Sequence, residues 1–186
     1  MRIIGGARRG LKLADVGEGD MAAHLRPTSD RVREAIFNLL INAHGNPVAG
    51  ARVLDLFAGT GALGLESLSR GAVSATFVED GAKALALIRA NIAKMRAEGE
   101  TQILRQDVRR LGPNPGEGYG LVFLDPPYGK GLGETALAAA QRGGWLASGA
   151  MVVWEEGSVP QIPAGFALID QRKYGDTIVT LLKAPE

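Results

Sequence analysis

The sequence contains no cysteine, and its only histidines are His24 and His44. The missing thiols exclude disulfides, thiolate nucleophiles and Cys-ligated zinc or iron–sulfur sites. The two histidines stand in unrelated sequence contexts, so we expect no metal site. No run of about 18 uncharged apolar residues is present, and the first residues lack a signal-peptide core. These absences predict a soluble cytoplasmic protein without a membrane segment.

The positive charges are unevenly distributed, although the formal net charge of the 186 residues is only +1. Arg2, Arg8, Arg9 and Lys12 all precede the first acid, Asp15. Such a segment has two interpretations. It either binds nucleic-acid phosphates or is simply a solvated, charged hairpin.

Strands and helices alternate along most of the chain. A short hairpin, Arg2–Ile4 with Leu11–Leu13, comes first, and Thr28 or Ser29 can cap the helix that follows. Asp80 is predicted to cap a later helix. The predicted strands are Arg52–Phe57, Ala75–Glu79, Thr101–Arg105, Leu121–Leu124, Met151–Trp154, Phe166–Asp170 and Thr177–Leu182. This order predicts an α/β fold with a parallel, doubly wound sheet, and the final helix-free pair adds one antiparallel strand.

A glycine-rich loop follows the first predicted strand and indicates a nucleotide-like ligand. The segment from Asp55 to Gly64, DLFAGTGALG, contains G-x-G-x-x-G, and Glu79 ends the second strand about 20 residues later, where it can hold ribose hydroxyls. The motif alone fits a dinucleotide as well as S-adenosylmethionine (SAM). Asp55 would repel a pyrophosphate but attract the sulfonium and ammonium groups of SAM, so the D-x-F-x-G-x-G order, with Phe57, Gly59 and Gly61, favours SAM.

A third acid, Asp107, follows the third predicted strand. It can accept a hydrogen bond from the adenine amino group of the cofactor. Alternatively, it caps a turn and contacts no ligand.

The tetrapeptide Asp125-Pro126-Pro127-Tyr128 ends the fourth predicted strand. Two prolines stiffen the backbone and remove two N–H donors. The Asp125 carboxylate and the Pro126 carbonyl can then accept both hydrogens of an amino group and direct its lone pair at a methyl donor. Tyr128 can stack on the base that carries this amino group. In isolation the tetrapeptide could be only a rigid turn, but its place after an apolar strand and downstream of the glycine loop favours catalysis.

The chain resembles a known family, the bacterial methyltransferases that modify guanine N2 at position 966 of 16S ribosomal RNA (the RsmD family). The resemblance is carried by MRIIGGARRGLKL from Met1, RPTSDRVREAIFNLL from Arg26, VLDLFAGTGALGLESLSRGA from Val53, FVED from Phe77, VFLDPPYGKGL from Val122 and YGDT from Tyr174. It implies a Rossmann-like class I SAM-dependent methyltransferase fold with a seven-stranded, mostly parallel sheet. We accordingly divide the chain into a basic RNA-binding extension, residues 1–27, and a methyltransferase domain, residues 28–186.

The resemblance also implies roles for individual residues. Asp55, Phe57, Gly59, Gly61, Glu79 and Asp107 line the SAM pocket, and the segment from Arg26 to Thr28 closes over it, with Thr28 near the cofactor. Asp125 to Tyr128 hold the target guanine. The RNA-binding residues are Arg2, Arg8, Arg9, Lys12 and Arg26. The implied substrate is a small ribosomal subunit or its assembly intermediate, with ribosomal proteins as possible partners of a monomeric enzyme.

Three other functions remain open at the level of sequence. A DNA adenine-N6 or cytosine-N4 methyltransferase also uses Asp-Pro-Pro-Tyr, although no separate target-recognition domain is visible. A non-catalytic RNA-binding protein could keep a degenerate methyltransferase fold, although the glycine loop and Asp125 are intact here. A nicotinamide-dependent oxidoreductase shares the glycine motif.

Overall fold

The computed structural model of the protein describes residues 1–15 and 29–186. The predictions for His24, Arg26 and Thr28 therefore lie outside the described residues. The helices and strands of the described part are α1 (Asp30–Ala43), β1 (Arg52–Leu56), α2 (Ala62–Ser69), β2 (Ser74–Glu79), α3 (Ala82–Met95), β3 (Thr101–Arg105), β4 (Tyr119–Leu124), α4 (Leu132–Arg142), β5 (Leu146–Glu156), β6 (Ala167–Tyr174) and β7 (Thr177–Lys183).

The seven strands form one sheet in the order β3-β2-β1-β4-β5-β7-β6. β7 runs antiparallel to both of its neighbours, whereas β1 to β5 pair in parallel. The predicted fold class, including its single antiparallel strand, is confirmed. The strand order reverses between β1 and β4, and ligands of such sheets bind at the carboxyl ends of the strands beside this reversal.

Each face of the sheet carries its own apolar core. On one face Phe37 of α1, Leu65 of α2 and Ile88 of α3 pack against the sheet, and Ile3 and Leu13 of the N-terminal segment join this cluster. On the other face Leu137 of α4 packs beside Trp154 of β5. Coverage on both faces explains why the central strands are almost wholly apolar.

Several local predictions need correction. The predicted two-stranded hairpin at the N-terminus is not confirmed, because an isolated antiparallel bridge between Arg2 and Lys12 replaces its strands. The prediction that Asp80 caps α3 is wrong: Gly81 occupies the cap position without a side-chain hydrogen bond. Ser29 does cap α1, accepting a hydrogen bond from the Val32 amide at 3.2 Å.

The longer β5, β6 and β7 are longer than the sequence predicts. β6 extends to Tyr174 because it pairs with β7 up to the tight turn, where Tyr174 faces Thr177. Among the described helices, none is long and apolar enough to cross a membrane.

Candidate active site

The connection from β1 to α2 is tightly bent. Phe57, Gly59 and Gly61 have φ angles of 62°, 56° and 78°. A phenylalanine rarely adopts a positive φ, and residues held in such conformations concentrate at ligand-binding sites. This bend ends β1 one residue earlier than predicted, at Leu56.

Gly64 allows α2 to lie close to the sheet. A Cβ atom at this position would stand 2.4 Å from Cε1 of Phe77 in β2, which is too close for any real contact. The third glycine of the motif is therefore explained by helix–sheet packing rather than by ligand contact. The same close approach brings the first turn of α2 against Asp55.

The Asp55 carboxyl group is almost wholly buried, with an exposed fraction of 2%. Its Oδ2 accepts a hydrogen bond from the Gly64 amide at 3.0 Å, so it also satisfies an otherwise unpaired N–H in the first turn of α2. Burial, assisted by the negative charge of Glu79 and opposed by the Gly64 hydrogen bond, raises the pKa of Asp55 to about 8. A cation bound nearby would favour ionised Asp55 and lower this pKa.

Glu79 ends β2 and faces the glycine loop. Its Oε2 accepts a hydrogen bond from the Gly59 amide at 2.9 Å, and its Oε1 accepts from the amides of Asp80 and Gly81 at 3.0 and 2.8 Å. The two oxygens together offer about four lone-pair sites, so the carboxylate can still accept a bond from a ribose hydroxyl. These amides hold Glu79 in place before any ligand binds.

Asp107 lies just beyond β3 and caps a short 3₁₀ helix, Val108–Arg110. It accepts a hydrogen bond from the Arg109 amide at 2.9 Å, and the Arg109 guanidinium binds both of its oxygens. These bonds hold the pKa of Asp107 below its usual value. The turn-capping interpretation is thus confirmed, whereas contact between Asp107 and a cofactor adenine stays a prediction.

The site residues fit SAM by their chemistry. Asp55 and Glu79 offer carboxylate oxygens, and the loop between Phe57 and Gly64 contains no basic side chain. SAM presents hydroxyl and amino donors together with two positive charges, all of which such a set can accept. A pyrophosphate would instead meet the buried carboxyl group at the start of α2.

The Asp125-Pro126-Pro127-Tyr128 tetrapeptide follows β4, the strand next to β1. The Asp125 amide lies 3.5 Å from the Leu56 carbonyl oxygen, which places the tetrapeptide beside the first residues of the cofactor loop. Pro126 is buried, whereas Asp125 and Tyr128 are partly exposed. The structure therefore brings together the two motifs that the sequence separates by about 70 residues.

Four residues of this region were missed by the sequence analysis. The Tyr128 hydroxyl donates to Oε1 of Glu155 at 2.9 Å and also lies 3.1 Å from Oγ1 of Thr177. Oε1 of Glu156 accepts from the amides of Gly129 and Gly157 at 3.1 and 2.8 Å. The available signals were the two adjacent acids after an apolar strand and the YGDT sequence.

Asn91 of α3 was also missed, although a polar residue among the apolar positions of a buried helix face is a usable signal. It is fully buried, and its Nδ2 donates to the carbonyls of Ala14 and Thr60 at 2.9 and 3.0 Å. Its Oδ1 accepts from the Ala14 amide at 2.6 Å. Asn91 thus joins the N-terminal segment to the cofactor loop.

The predicted RNA-binding arginines and lysine occupy different surroundings. Arg9 and Lys12 are exposed, and so is Arg2, whose Nε lies 3.7 Å from Asp30. Arg8 instead forms an ion pair with Glu100 at 2.8 Å. Within residues 1–15 and 29–186, no group of three or more potential ligand side chains is placed to hold a metal ion.

Comparisons with known proteins agree with this site. The family model described as "Conserved hypothetical protein 95" matches residues 1–183. The chain is 38% identical to ribosomal RNA small subunit methyltransferase D of Escherichia coli, over 97% of this chain and 88% of the relative. It is 33% identical to the protein of the same name from Haemophilus influenzae, over 94% and 89% of the two chains.

Solved structures show the same fold. The Escherichia coli protein yhhF superposes with a TM-score of 0.83 at 35% identity, covering 100% of this chain and 98% of that one. A Haemophilus influenzae protein superposes with a TM-score of 0.78 at 29% identity and the same coverage. The chain therefore belongs to the conserved hypothetical protein 95 family, which it shares with the ribosomal RNA small subunit methyltransferases D.

Proposed function

We propose that this protein transfers a methyl group from SAM to the exocyclic N2 of a guanine in 16S ribosomal RNA, at the position corresponding to guanine 966. The observation that carries the proposal is the placement of Asp125 to Tyr128 beside the cofactor loop, at the carboxyl edge of the sheet. The name of the relatives at 38% and 33% identity supports small-subunit ribosomal RNA as the substrate.

The residues of the chain divide the work between donor and acceptor. Glu79 holds the ribose, and Asp55 lies near the positive charges of the donor. Phe57, Gly59 and Gly61 bend the backbone around it, and Asp107 contacts its adenine. When bound, SAM supplies the electrophilic methyl group.

The Asp-Pro-Pro-Tyr segment orients the acceptor. The Asp125 carboxylate and the Pro126 carbonyl accept the two N–H bonds of guanine N2, so its lone pair is localised toward the methyl donor. Tyr128 stacks on the guanine, which must be unpaired or turned out of its stack to reach the site. The proton leaves N2 after the attack, and Asp125 is the nearest proposed acceptor.

The biological setting follows from the same proposal. The substrate is a small subunit or an assembly intermediate in the cytoplasm, where ribosomal proteins form part of the surface that a monomeric enzyme meets. Residues 1–27 act as an RNA-binding extension and residues 28–186 as the catalytic domain. Exposed Arg9 and Lys12 support this division.

Methylation assays with labelled SAM test the proposal directly. Small subunits from a strain that lacks the enzyme should accept label, and mass spectrometry of the nucleosides should find N2-methylguanosine. Asp125→Ala should lower turnover by about 100-fold or more, because orientation and charge stabilisation are lost together, while SAM binding measured by calorimetry persists. Label in duplex DNA only, or heat with NAD and none with SAM, would refute the proposal.

A further inference from the structure

Tyr128 is attached to the sheet at both ends of its side chain. Its backbone belongs to the proline-stiffened segment after β4, and its hydroxyl is held by Glu155 at the end of β5 and Thr177 at the start of β7. β7 is antiparallel to β5, so its first residue lies at the carboxyl edge where the parallel strands end. The antiparallel strand thus delivers a hydroxyl group to the catalytic edge.

The hydroxyl of Tyr128 acts as a donor toward Glu155. Burial and the negative charge of Glu155 both raise the pKa of Tyr128, so the phenol keeps its proton. Glu155 and Thr177 are themselves buried, with exposed fractions of 5% each. Two buried partners fix the position of the hydroxyl more firmly than solvent would.

Gly157 limits the ring from the side. A Cβ atom at this residue would lie 2.9 Å from Cδ2 and 3.4 Å from Cγ of Tyr128. Its backbone is held in turn, because its amide donates to Glu156, the same carboxylate that accepts from Gly129. The ring therefore has a fixed contact near Cγ and fixed hydrogen bonds at its hydroxyl.

We propose that Glu155, Thr177 and Gly157 are positioning residues that fix the plane of the Tyr128 ring and, through it, the plane in which the target base stacks. The inference rests on the proposed function. A ring that is already ordered loses less side-chain freedom when a base stacks on it, so the ordering improves capture and alignment of the base. The residues act through Tyr128 and need no contact with the substrate.

The test removes the hydroxyl contacts while it keeps the ring. Tyr128→Phe, Thr177→Val and Glu155→Gln should each lower kcat/KM for the small subunit by about 3- to 10-fold, the ratio that corresponds to one hydrogen bond. The KM for SAM should remain that of the wild type. Thr177→Ser keeps the hydroxyl and should restore most of the activity. The double variant Tyr128→Phe/Thr177→Val should lose less than the product of the two single effects.

A second buried tyrosine provides the matched control. Tyr119, at the start of β4, shares a hydrogen bond of 2.8 Å with Thr76, at the opposite edge of the sheet. Tyr119→Phe should lower the melting temperature to a similar extent as Tyr128→Phe, yet leave kcat/KM for the small subunit unchanged. If Thr177→Val does not fold, Tyr128→Phe makes the same test without altering a strand.

The outcomes separate the two proposals. Wild-type methylation of ribosomal RNA together with unchanged kcat/KM in Tyr128→Phe and Thr177→Val overturns the positioning role alone. Equal loss of activity in Tyr119→Phe also overturns it, because the effect would then be general destabilisation. Absence of methyl transfer to ribosomal RNA by the wild type overturns the proposed function first.

Discussion

Asp55 is an acid whose affinity for a proton differs between the folded and the unfolded chain. Burial raises its pKa from 3.8 to about 8 in the folded, ligand-free protein. Below pH 4 both states hold the proton. Between about pH 4 and pH 8 the unfolded chain releases it while the folded chain retains it, so the free energy of unfolding falls as the pH rises.

The variant Asp55→Asn should remove this pH dependence, because Asn keeps an acceptor for the Gly64 amide and carries no charge. Without SAM, the melting temperature of the variant minus that of the wild type should be larger at pH 8 than at pH 5. Asp107→Asn is the control, since the pKa of Asp107 is lowered by Arg109 and its removal should bring no such gain. The same difference at both pH values for Asp55→Asn would contradict the shift.

At the scale of helices and strands, the contact between α2 and β2 fixes the cofactor loop. Gly64→Ala places a methyl group against the Phe77 ring, so α2 must move away from the sheet and from Asp55. We expect a loss of about 1–3 kcal/mol in the free energy of unfolding and weaker SAM binding. Denaturant titration and calorimetry measure the two effects.

Gly99→Ala is a matched control for this change, because nothing lies within 4 Å of the added Cβ atom. The double variant Gly64→Ala/Phe77→Leu should be more stable than the sum of the single changes predicts, since the smaller side chain makes room for the methyl group. Strictly additive losses would show that the Phe77 contact is not the cause.

The sequence predicts this level of structure well where a pattern is local. The strand cores, the Ser29 cap and the glycine loop follow from periodicity and turn chemistry. It fails where partners are far apart in the chain. Glu79 takes the amides of Asp80 and Gly81, so Asp80 is not the cap of α3, and this depends on the position of β2 in the sheet. The partners of Tyr128, 27 and 49 residues away, leave no local pattern at all.

At the scale of the whole molecule, the N-terminal segment extends along one face from the active-site edge to the opposite edge. Asn91 holds Ala14 beside the cofactor loop. The turn of the segment contacts Ser69, the last residue of α2, and Arg8 reaches Glu100 just before β3. The basic side chains are therefore distributed along a face, which suits a long RNA surface rather than a single phosphate.

This arrangement predicts unequal roles for the basic residues in RNA binding. Arg9→Glu with Lys12→Glu should weaken binding and reduce the slope of log K against log salt by roughly 1.4 to 1.8, the value for two phosphate contacts. Arg8→Glu should act mainly by breaking its ion pair with Glu100. Filter binding across a salt series measures these slopes.

The control pair for this experiment is Arg142→Glu with Lys173→Glu, which changes the net charge by the same amount. Arg142 ends α4, on the face of the sheet that the N-terminal segment does not cover, and Lys173 is exposed on β6. If RNA meets the face that carries Arg9 and Lys12, this pair should leave the slope close to that of the wild type. Equal loss of slope in both pairs would mean that only the total charge of the protein matters, because counterion release responds to local contacts and not to distant charges.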